Sequence, residues 1–405
     1  MAFHPRTTFG HPSQQSLRNS LAINVGGHHQ FVCLLSPTLT NQESKQRRKV
    51  VKMARFSYRS SAELSSIFGI FRSMCNTAIR VAITEKPSNR FKLIELAYPH
   101  LKEYGMHTNY ILTACKVAHA VCTNKNAKRV PYIKKAFLEL GNQTYQLNHL
   151  LLRIPATPRH YIFLVLQGSD YHLSLLNNPS HRLGSVIITG SSVNIAVTKE
   201  VEMTEPGGFI GVDINERNTT VSTTEGYSHR HEEPSDVVEI KQRYQAITTR
   251  ISRATSKDNR MRQMLLAKYG KRERDRTIQR IHRMTKKIVD YALENKLGIK
   301  MEKLTGIGKL YRRGNGQGPA FRGRMNKWVF GETQRQLNYK ASWDGVQCWL
   351  VNPRGTSSNC LCGSRVAQRV DRKVYCPKCE RTWDRDDLAS KRIMACAVPQ
   401  ARPFT

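Results

Sequence analysis

Residues 349–393 read WLVNPRGTSSNCLCGSRVAQRVDRKVYCPKCERTWDRDDLASKRI, and three kinds of chemistry lie in this one stretch. Trp349, Leu350 and Val351 form a short apolar strand. Cys360, Cys362, Cys376 and Cys379 follow as a C-x-C and a C-x-x-C pair with thirteen residues between them. Two close thiolate pairs brought together across a short hairpin meet the needs of a tetrahedral Zn²⁺ site. The run Asp384-Arg385-Asp386-Asp387 then begins five residues after the last cysteine. A structural knuckle delivers the residues behind it to a fixed place, so the acidic run reads as the source of a metal-binding carboxylate. The first pair has a single spacer where most knuckles have two. The competing reading is four reduced cysteines of which only Cys376 and Cys379 act.

Two strands upstream carry the other candidate ligands. Phe209-Ile210-Gly211-Val212-Asp213-Ile214-Asn215 is apolar around one carboxylate, and Leu297-Gly298-Ile299-Lys300-Met301-Glu302 is an apolar run that ends in another. A carboxylate inside a strand is costly to desolvate unless it is paired or metal-bound. Asp213 and Glu302 are therefore read as functional, and Asp386 supplies a third. Three carboxylates far apart in sequence suit two-metal hydrolysis of a phosphodiester, in which anionic oxygens hold two Mg²⁺ ions about 4 Å apart. Composition agrees. The 405 residues include 65 Lys and Arg against 30 Asp and Glu, a formal charge of +35. Such an excess opposes compaction unless a polyanion neutralises it, so nucleic acid is the expected partner. A membrane is not, because no apolar run approaches the ~20 residues of a spanning helix.

Between Asp213 and Glu302, the segment from Lys241 to Lys287 carries 16 Lys or Arg against three acids. Ile247, Ile251, Met261, Met264, Leu265, Ile278 and Ile281 recur there at partial helical spacing. A helical hairpin turning near Tyr269-Gly270 and tracking phosphates is expected. His229 and His231, beside Glu232 and Glu233, have donor atoms for a metal but read as a surface loop. Gly306 to Gly323 is rich in Gly and Arg and lacks the Gly-Lys-Ser/Thr ending of a phosphate loop, which leaves a mobile lid or a linker. Trp328, Phe330, Leu337, Tyr339, Ala341 and Trp343 read as core residues of an amphipathic helix.

Residues 1–46 mix His, Ser, Gln, Pro and Gly without periodicity, as a disordered tail does, and contain no secretory signal. Folded sequence is expected from Arg47, with Met53 a second candidate start. Ser60 and Glu63 have capping-box spacing ahead of Leu64, Ile67, Phe68, Phe71, Cys75, Ala78, Ile79 and Ala82, a helical stripe that Pro87 stops. A second helix is expected over Tyr110 to Val121, and a third after Pro131 through Ile133, Ala136, Phe137 and Leu140. Strands follow at Leu150 to Ile154, Tyr161 to Leu166, Ser185 to Thr189 and Val193 to Thr198, the last two joined at Gly190-Ser191-Ser192. With the strand near Met53 they would close a small barrel suited to nucleic-acid backbone. Cys33, Cys75, Cys115, Cys122, Cys348 and Cys396 have no framework spacing, which favours a reducing compartment.

At this point the residues carry a resemblance. The string Arg324-Met325-Asn326-Lys327-Trp328, Gln334-Arg335-Gln336-Leu337 and Tyr339-Lys340-Ala341, then Asn352-Pro353-Arg354-Gly355-Thr356-Ser357-Ser358, the cysteine pairs and Asp384-Arg385-Asp386 resembles the TnpB family. These are transposon-encoded nucleases related to the type V CRISPR effectors. Gly211-Val212-Asp213 and Met301-Glu302-Lys303-Leu304-Thr305-Gly306 are similar to that family's first and second RuvC motifs. The resemblance is specific from Gly207 to Ile393 and follows layout alone from Arg47 to Glu205.

It implies an α/β plus β-barrel chain. A RuvC-like RNase H fold nuclease would cover 206–355 and 383–395, with a zinc-binding insert over 356–382. A wedge-type β-barrel would cover 47–60 and 147–205, with a helical recognition region inserted over 61–146, and tails would lie at 1–46 and 396–405. By position, the resemblance makes Asp213, Glu302 and Asp386 the Mg²⁺ ligands and Cys360, Cys362, Cys376 and Cys379 the Zn²⁺ ligands. Arg372 takes the place of a catalytic-site arginine that stabilises phosphate charge. A guide RNA pairing with target DNA beside a short protein-read motif is also implied. Other transposon-encoded proteins are further expected partners, in a prokaryotic cytoplasm in association with the nucleoid. The expected activity is Mg²⁺-dependent, RNA-guided DNA cleavage. A non-cleaving RNA-guided regulator and a strand-transfer transposase are the alternatives. Two departures stand out: Cys360-Leu361-Cys362 replaces the usual C-x-x-C, and the usual Asp-x-Asn-Ala-Ala reads Asp386-Asp387-Leu388-Ala389-Ser390.

Overall fold

Basic and apolar residues alternate along Arg47–Tyr58, and this segment forms strand β1, with Ala54 and Phe56 buried. The computed structural model describes residues 47–123 and 131–398. The tail expected over 1–46 lies outside the described residues, as does 399–405 of the one expected over 396–405. The described residues belong to one compact unit, Lys45–Thr405. Helix α1 (Ala62–Glu85) buries the stripe from Leu64 to Ala82, but its cap is Ser61, one residue later than expected, which accepts from the Leu64 amide at 3.2 Å. Helix α2 (Arg90–Lys102) was not anticipated, because Pro99 inside it breaks the helical signature. Helix α3 (Thr108–Cys122) stands where the second helix was expected.

After Pro131 the expected helix is instead a strand, β2 (Phe137–Leu140), so the described helices of the 61–146 region end at Cys122. Four apolar residues fit either period; pairing of Leu138 with Ile188 in a neighbouring strand decides for the extended form. Strands β3 (Gln146–Asn148), β4 (Leu151–Thr157) and β5 (His160–Gln167), helix α4 (Asp170–Asn177), and strands β6 (Arg182–Thr189) and β7 (Ser192–Glu202) follow. They form a seven-stranded sheet in the order β2-β6-β7-β1-β5-β4-β3. Strand β1 pairs with β7 from Arg47 to Phe56 and passes to β5 only at Ser57 and Tyr58. Edge strands β2 and β3 do not pair with each other, so the expected closed barrel is an open sheet. Four- and three-residue edges offer too few backbone bonds to close the ring. Leu64, Phe71, Tyr110, Leu138, Leu152 and Ile195 belong to the core between this sheet and α1–α3.

A second sheet contains β8 (Gly208–Ile214), β9 (Thr219–Thr223), β10 (Ser228–His231), β11 (Leu297–Glu302) and β12 (Cys348–Val351), in the order β10-β9-β8-β11-β12. Strands β8, β11 and β12 run parallel, and β9 and β10 fold back antiparallel. His229 and His231 therefore lie on a strand, not in a loop: they pair with Val221 and Thr219. Helices α5 (Glu233–Ala254) and α6 (Asn259–Glu294) form the basic hairpin, but its turn is at residues 255–258. Asp258 caps α6 by accepting from the Met261 amide at 2.9 Å, whereas Gly270 is accommodated inside the helix. Met261 and Met264, at the outer end, are exposed. The Gly- and Arg-rich segment holds a 3₁₀ turn, Ile307–Tyr311, and helix α7 (Pro319–Met325). Helix α8 (Phe330–Asp344) begins after Trp328 and buries Leu337, Ala341 and Trp343. The last elements are β13 (Ala367–Gln368), β14 (Lys373–Cys376), β15 (Arg381–Asp384) and helix α9 (Arg385–Ala395). Among the described residues, no helix is long and apolar enough to cross a membrane.

Candidate active site

Side-chain alternation in β8 and β11 sorts the second sheet into two faces. Ile210, Val212, Ile299 and Met301 join a core with residues of α6 and α8, including Met284, Ile288 and Leu337. Gly211, Asp213, Lys300 and Glu302 belong to the other face, since Gly211 pairs with Lys300 and Val212 with Met301. Helix α9 packs on that face. A Cβ on Gly211 would come within 2.0 Å of the Ser390 carbonyl oxygen, so only glycine lets the helix approach. Buried Lys300 secures the other end by donating to the Met394 and Cys396 carbonyls at 2.8 and 2.7 Å. The helix is thus held so that its first turn, with Asp386 2% exposed, lies beside the strand ends bearing Asp213 and Glu302.

Two of the three carboxylates, Asp213 and Asp386, are joined through two asparagines. Asn215 Nδ2 donates to Asp213 Oδ2 at 2.7 Å and to Asn218 Oδ1 at 3.2 Å, and Asn218 Nδ2 donates to Asp386 Oδ2 at 3.1 Å. Neither asparagine was singled out from sequence. The only signal was their place at the two ends of the turn after Asp213. Burial, reinforced by the charges of Glu302 and Asp386, raises the Asp213 pKa to about 7 against the lowering effects of Asn215 and Arg372. Burial also raises that of Glu302, opposed by the hydroxyl of Thr356, which donates to its Oε1. Gln334 holds the Glu302 carbonyl from α8 at 2.5 Å. Beside the site lies a cavity of about 360 Å³ between α5 and α7, whose lining includes Glu216, Lys241, Gln245, Arg324 and Trp328. The Trp328 indole N–H donates to the Asn215 carbonyl at 3.1 Å.

Arg372 reaches the site through antiparallel register. Lys373 pairs with Asp384 across β14 and β15, and the Arg385 amide donates to the Arg372 carbonyl at 2.8 Å. Its guanidinium forms an ion pair with Asp386 Oδ1. Asp384 is the N-cap of α9. Burial acts to raise its pKa, but the amides of Asp387 and Asp386 and the charge of Arg230 overcome this and lower it.

The four cysteines converge on one point. Cys360 and Cys379 sulfurs are 3.9 Å apart, those of Cys362 and Cys376 are 3.6 Å apart, and all four lie within 4.8 Å of one another. A tetrahedron with Zn–S bonds of about 2.3 Å has edges of about 3.8 Å, so the donor set is compatible with structural zinc. The single spacer is no obstacle, because Gly363, at φ 88°, turns the loop back and its amide donates to the Cys360 carbonyl at 2.9 Å. Among the described residues this is the one His, Cys, Asp or Glu set so tightly gathered. His229 and His231 belong to no such set. Asp213, Glu302 and Asp386 do not form so tight a set either.

Residues 330–393 match the model of the Cas12f1-like TNB domain. In fold, the chain is similar to Cas12f1 as seen in the cryo-EM structure of a Cas12f1-sgRNA-target DNA complex, with a TM-score of 0.57, 14% identity and coverage of 82% of this chain and 83% of that one. A TnpB-like protein of Methanocaldococcus jannaschii is 30% identical over 247 residues, 59% of this chain and 88% of the relative. A likeness that spans nearly all of that relative, together with the matched domain over α8, the cysteine hairpin and α9, places this chain in the TnpB family.

Proposed function

We propose that this protein is an RNA-guided DNA endonuclease of transposon-type origin that hydrolyses phosphodiester bonds with Mg²⁺ at a RuvC-like site. The observation that carries the reading is the single face of the second sheet on which Asp213 and Glu302 meet the first turn of α9 and Asp386. The strand order β10-β9-β8-β11-β12, with three parallel strands and an antiparallel pair, supports an RNase H-like nuclease core. Asp213, Glu302 and Asp386 would hold the Mg²⁺ ions, which when bound activate water and stabilise the leaving oxygen. Asn215 and Asn218 keep Asp213 and Asp386 oriented towards each other. Arg372 pairs with Asp386 from the cysteine hairpin and would stabilise phosphate charge beside it. Cys360, Cys362, Cys376 and Cys379 would hold Zn²⁺, fixing the hairpin that carries Arg372.

The guide RNA pairs with target DNA, and the basic α5–α6 hairpin offers its phosphates a cationic track. The test has two stages. RNA retained by the protein through about 0.5 M salt, where weak phosphate contacts are largely lost, is sequenced. One dominant species with a constant segment joined to a variable end is expected, and bulk ribosomal and transfer RNA would remove the guide. DNA matching that RNA is then incubated with Mg²⁺ and either the wild-type protein or Asp213→Ala. Cleavage by the wild type alone is expected; binding without cleavage identifies a regulator, and joined products a transposase.

A further inference from the structure

Three carboxylates crowd the start of α9, yet their surroundings differ. Asp384 accepts the amides of Asp386 and Asp387 at 2.9 and 3.2 Å and the Arg230 guanidinium at 2.8 Å. Asp387 accepts from the Ser228 hydroxyl and, at 2.7 Å, from Lys391. Ser228 and Arg230 are two residues apart on β10 and so share a face. Buried Ser390 completes the attachment, its hydroxyl 2.6 Å from that of buried Ser222, which lies 3.2 Å from Ser228. The short contacts of the Asp386 carboxylate are instead with Asn218 and Arg372, and Arg230 stands farther from it, at 3.7 Å.

We propose that strand β10 assigns the roles within the acidic run: Arg230 and Ser228 engage Asp384 and Asp387, so that Asp386 alone is delivered to the metal site, with Arg230 as the positioning residue. This rests on the carboxylate site proposed above. Without Arg230, Asp384 keeps the amides of Asp386 and Asp387 but is an anion without its cationic partner, two residues from Asp386. It then competes for the incoming metal and draws the first turn out of register. Arg230 also approaches Asp386 Oδ2, at 3.7 Å, so direct action at that carboxylate or at a phosphate is the rival account.

A double-mutant comparison separates the two. Serine retains the capping function of Asp384 but cannot act as an anionic ligand. Mg²⁺ binding to the full-length protein is measured by calorimetry without DNA, and cleavage in parallel, for the wild type, Arg230→Gln, Asp384→Ser and the pair together. Arg230→Gln is expected to weaken Mg²⁺ binding about tenfold in the wild-type background, in the range of supporting groups around a metal, and less than about twofold once Asp384 is serine. Equal losses in both backgrounds would overturn the positioning role. Arg230→Lys, which retains the charge, is expected to restore at least half of the lost binding, and Arg230→Ala takes the place of the glutamine variant in the same comparison should that variant fold poorly. Asp213→Ala is the control: Mg²⁺ binding unchanged there overturns the carboxylate site and this proposal with it. Dependence on Asp213 together with equal Arg230 losses overturns the role of β10 alone.

Discussion

The cysteine hairpin and the carboxylate site are built in opposite ways. Four thiols come from one stretch, Cys360 to Cys379, and stand over a small core of Val366, Val374 and Leu388. The carboxylates come from β8, β11 and α9, on a sheet backed by a much larger core. A unit with so little apolar surface depends on cross-links for its order. The carboxylate site has the reverse problem, since its framework is firm and its cost is burying like charges together. The difference teaches where each is vulnerable: the hairpin in stability, the carboxylates in function.

The largest effect should fall on the carboxylates. Asp213→Asn is expected to lower the cleavage rate by about 10³-fold, the equivalent of several kcal/mol of lost metal stabilisation. Stability should move the other way. The Asp213 pKa is raised from 3.8 to about 7, so the metal-free fold loses stability as pH rises through about 7. At pH 8 in chelator, thermal melting should therefore show the asparagine variant to be the more stable, and a lower Tm would contradict the buried-charge cost. Cys376→Ser tests the opposite behaviour. Loss of bound zinc by metal analysis, hydrogen exchange confined to residues 356–384, and a fall in cleavage of about 100-fold are expected, through displacement of Arg372. Unchanged zinc content would show that Cys376 does not ligate.

Smaller changes sharpen the comparison. Asn218→Ala removes one link between Asp386 and Asp213 and should weaken Mg²⁺ binding about 30-fold without affecting zinc. A variant that loses both metals would mean that the two sites are not independent. Lowering the pH from 8 to 6 protonates Asp213 and should weaken Mg²⁺ binding about tenfold, because the ion must displace a proton from a group titrating near 7. Calorimetry in buffers of different ionisation enthalpy should show that proton release, and Asp213→Asn should abolish it.

Local pattern made much of this protein legible. Cysteine spacing, the acidic run, the carboxylates within apolar strands and the stripe of α1 are short-range features, in which residue type and interval already carry the chemistry. Short or ambiguous segments were not legible: Phe137–Leu140 fits helix or strand, Pro99 conceals α2, and Asp258 rather than Gly270 sets the hairpin turn. The sequence by itself determined which residues bear the candidate chemistry and which strands carry them. Only the tertiary structure decided that the first sheet stays open, that Gly211 and Lys300 clasp α9, that Asn215 and Asn218 join Asp213 to Asp386, and that Arg230 engages Asp384. Those outcomes depend on strand register and on how closely a helix can approach a sheet, and both are set by contacts between residues far apart in the chain.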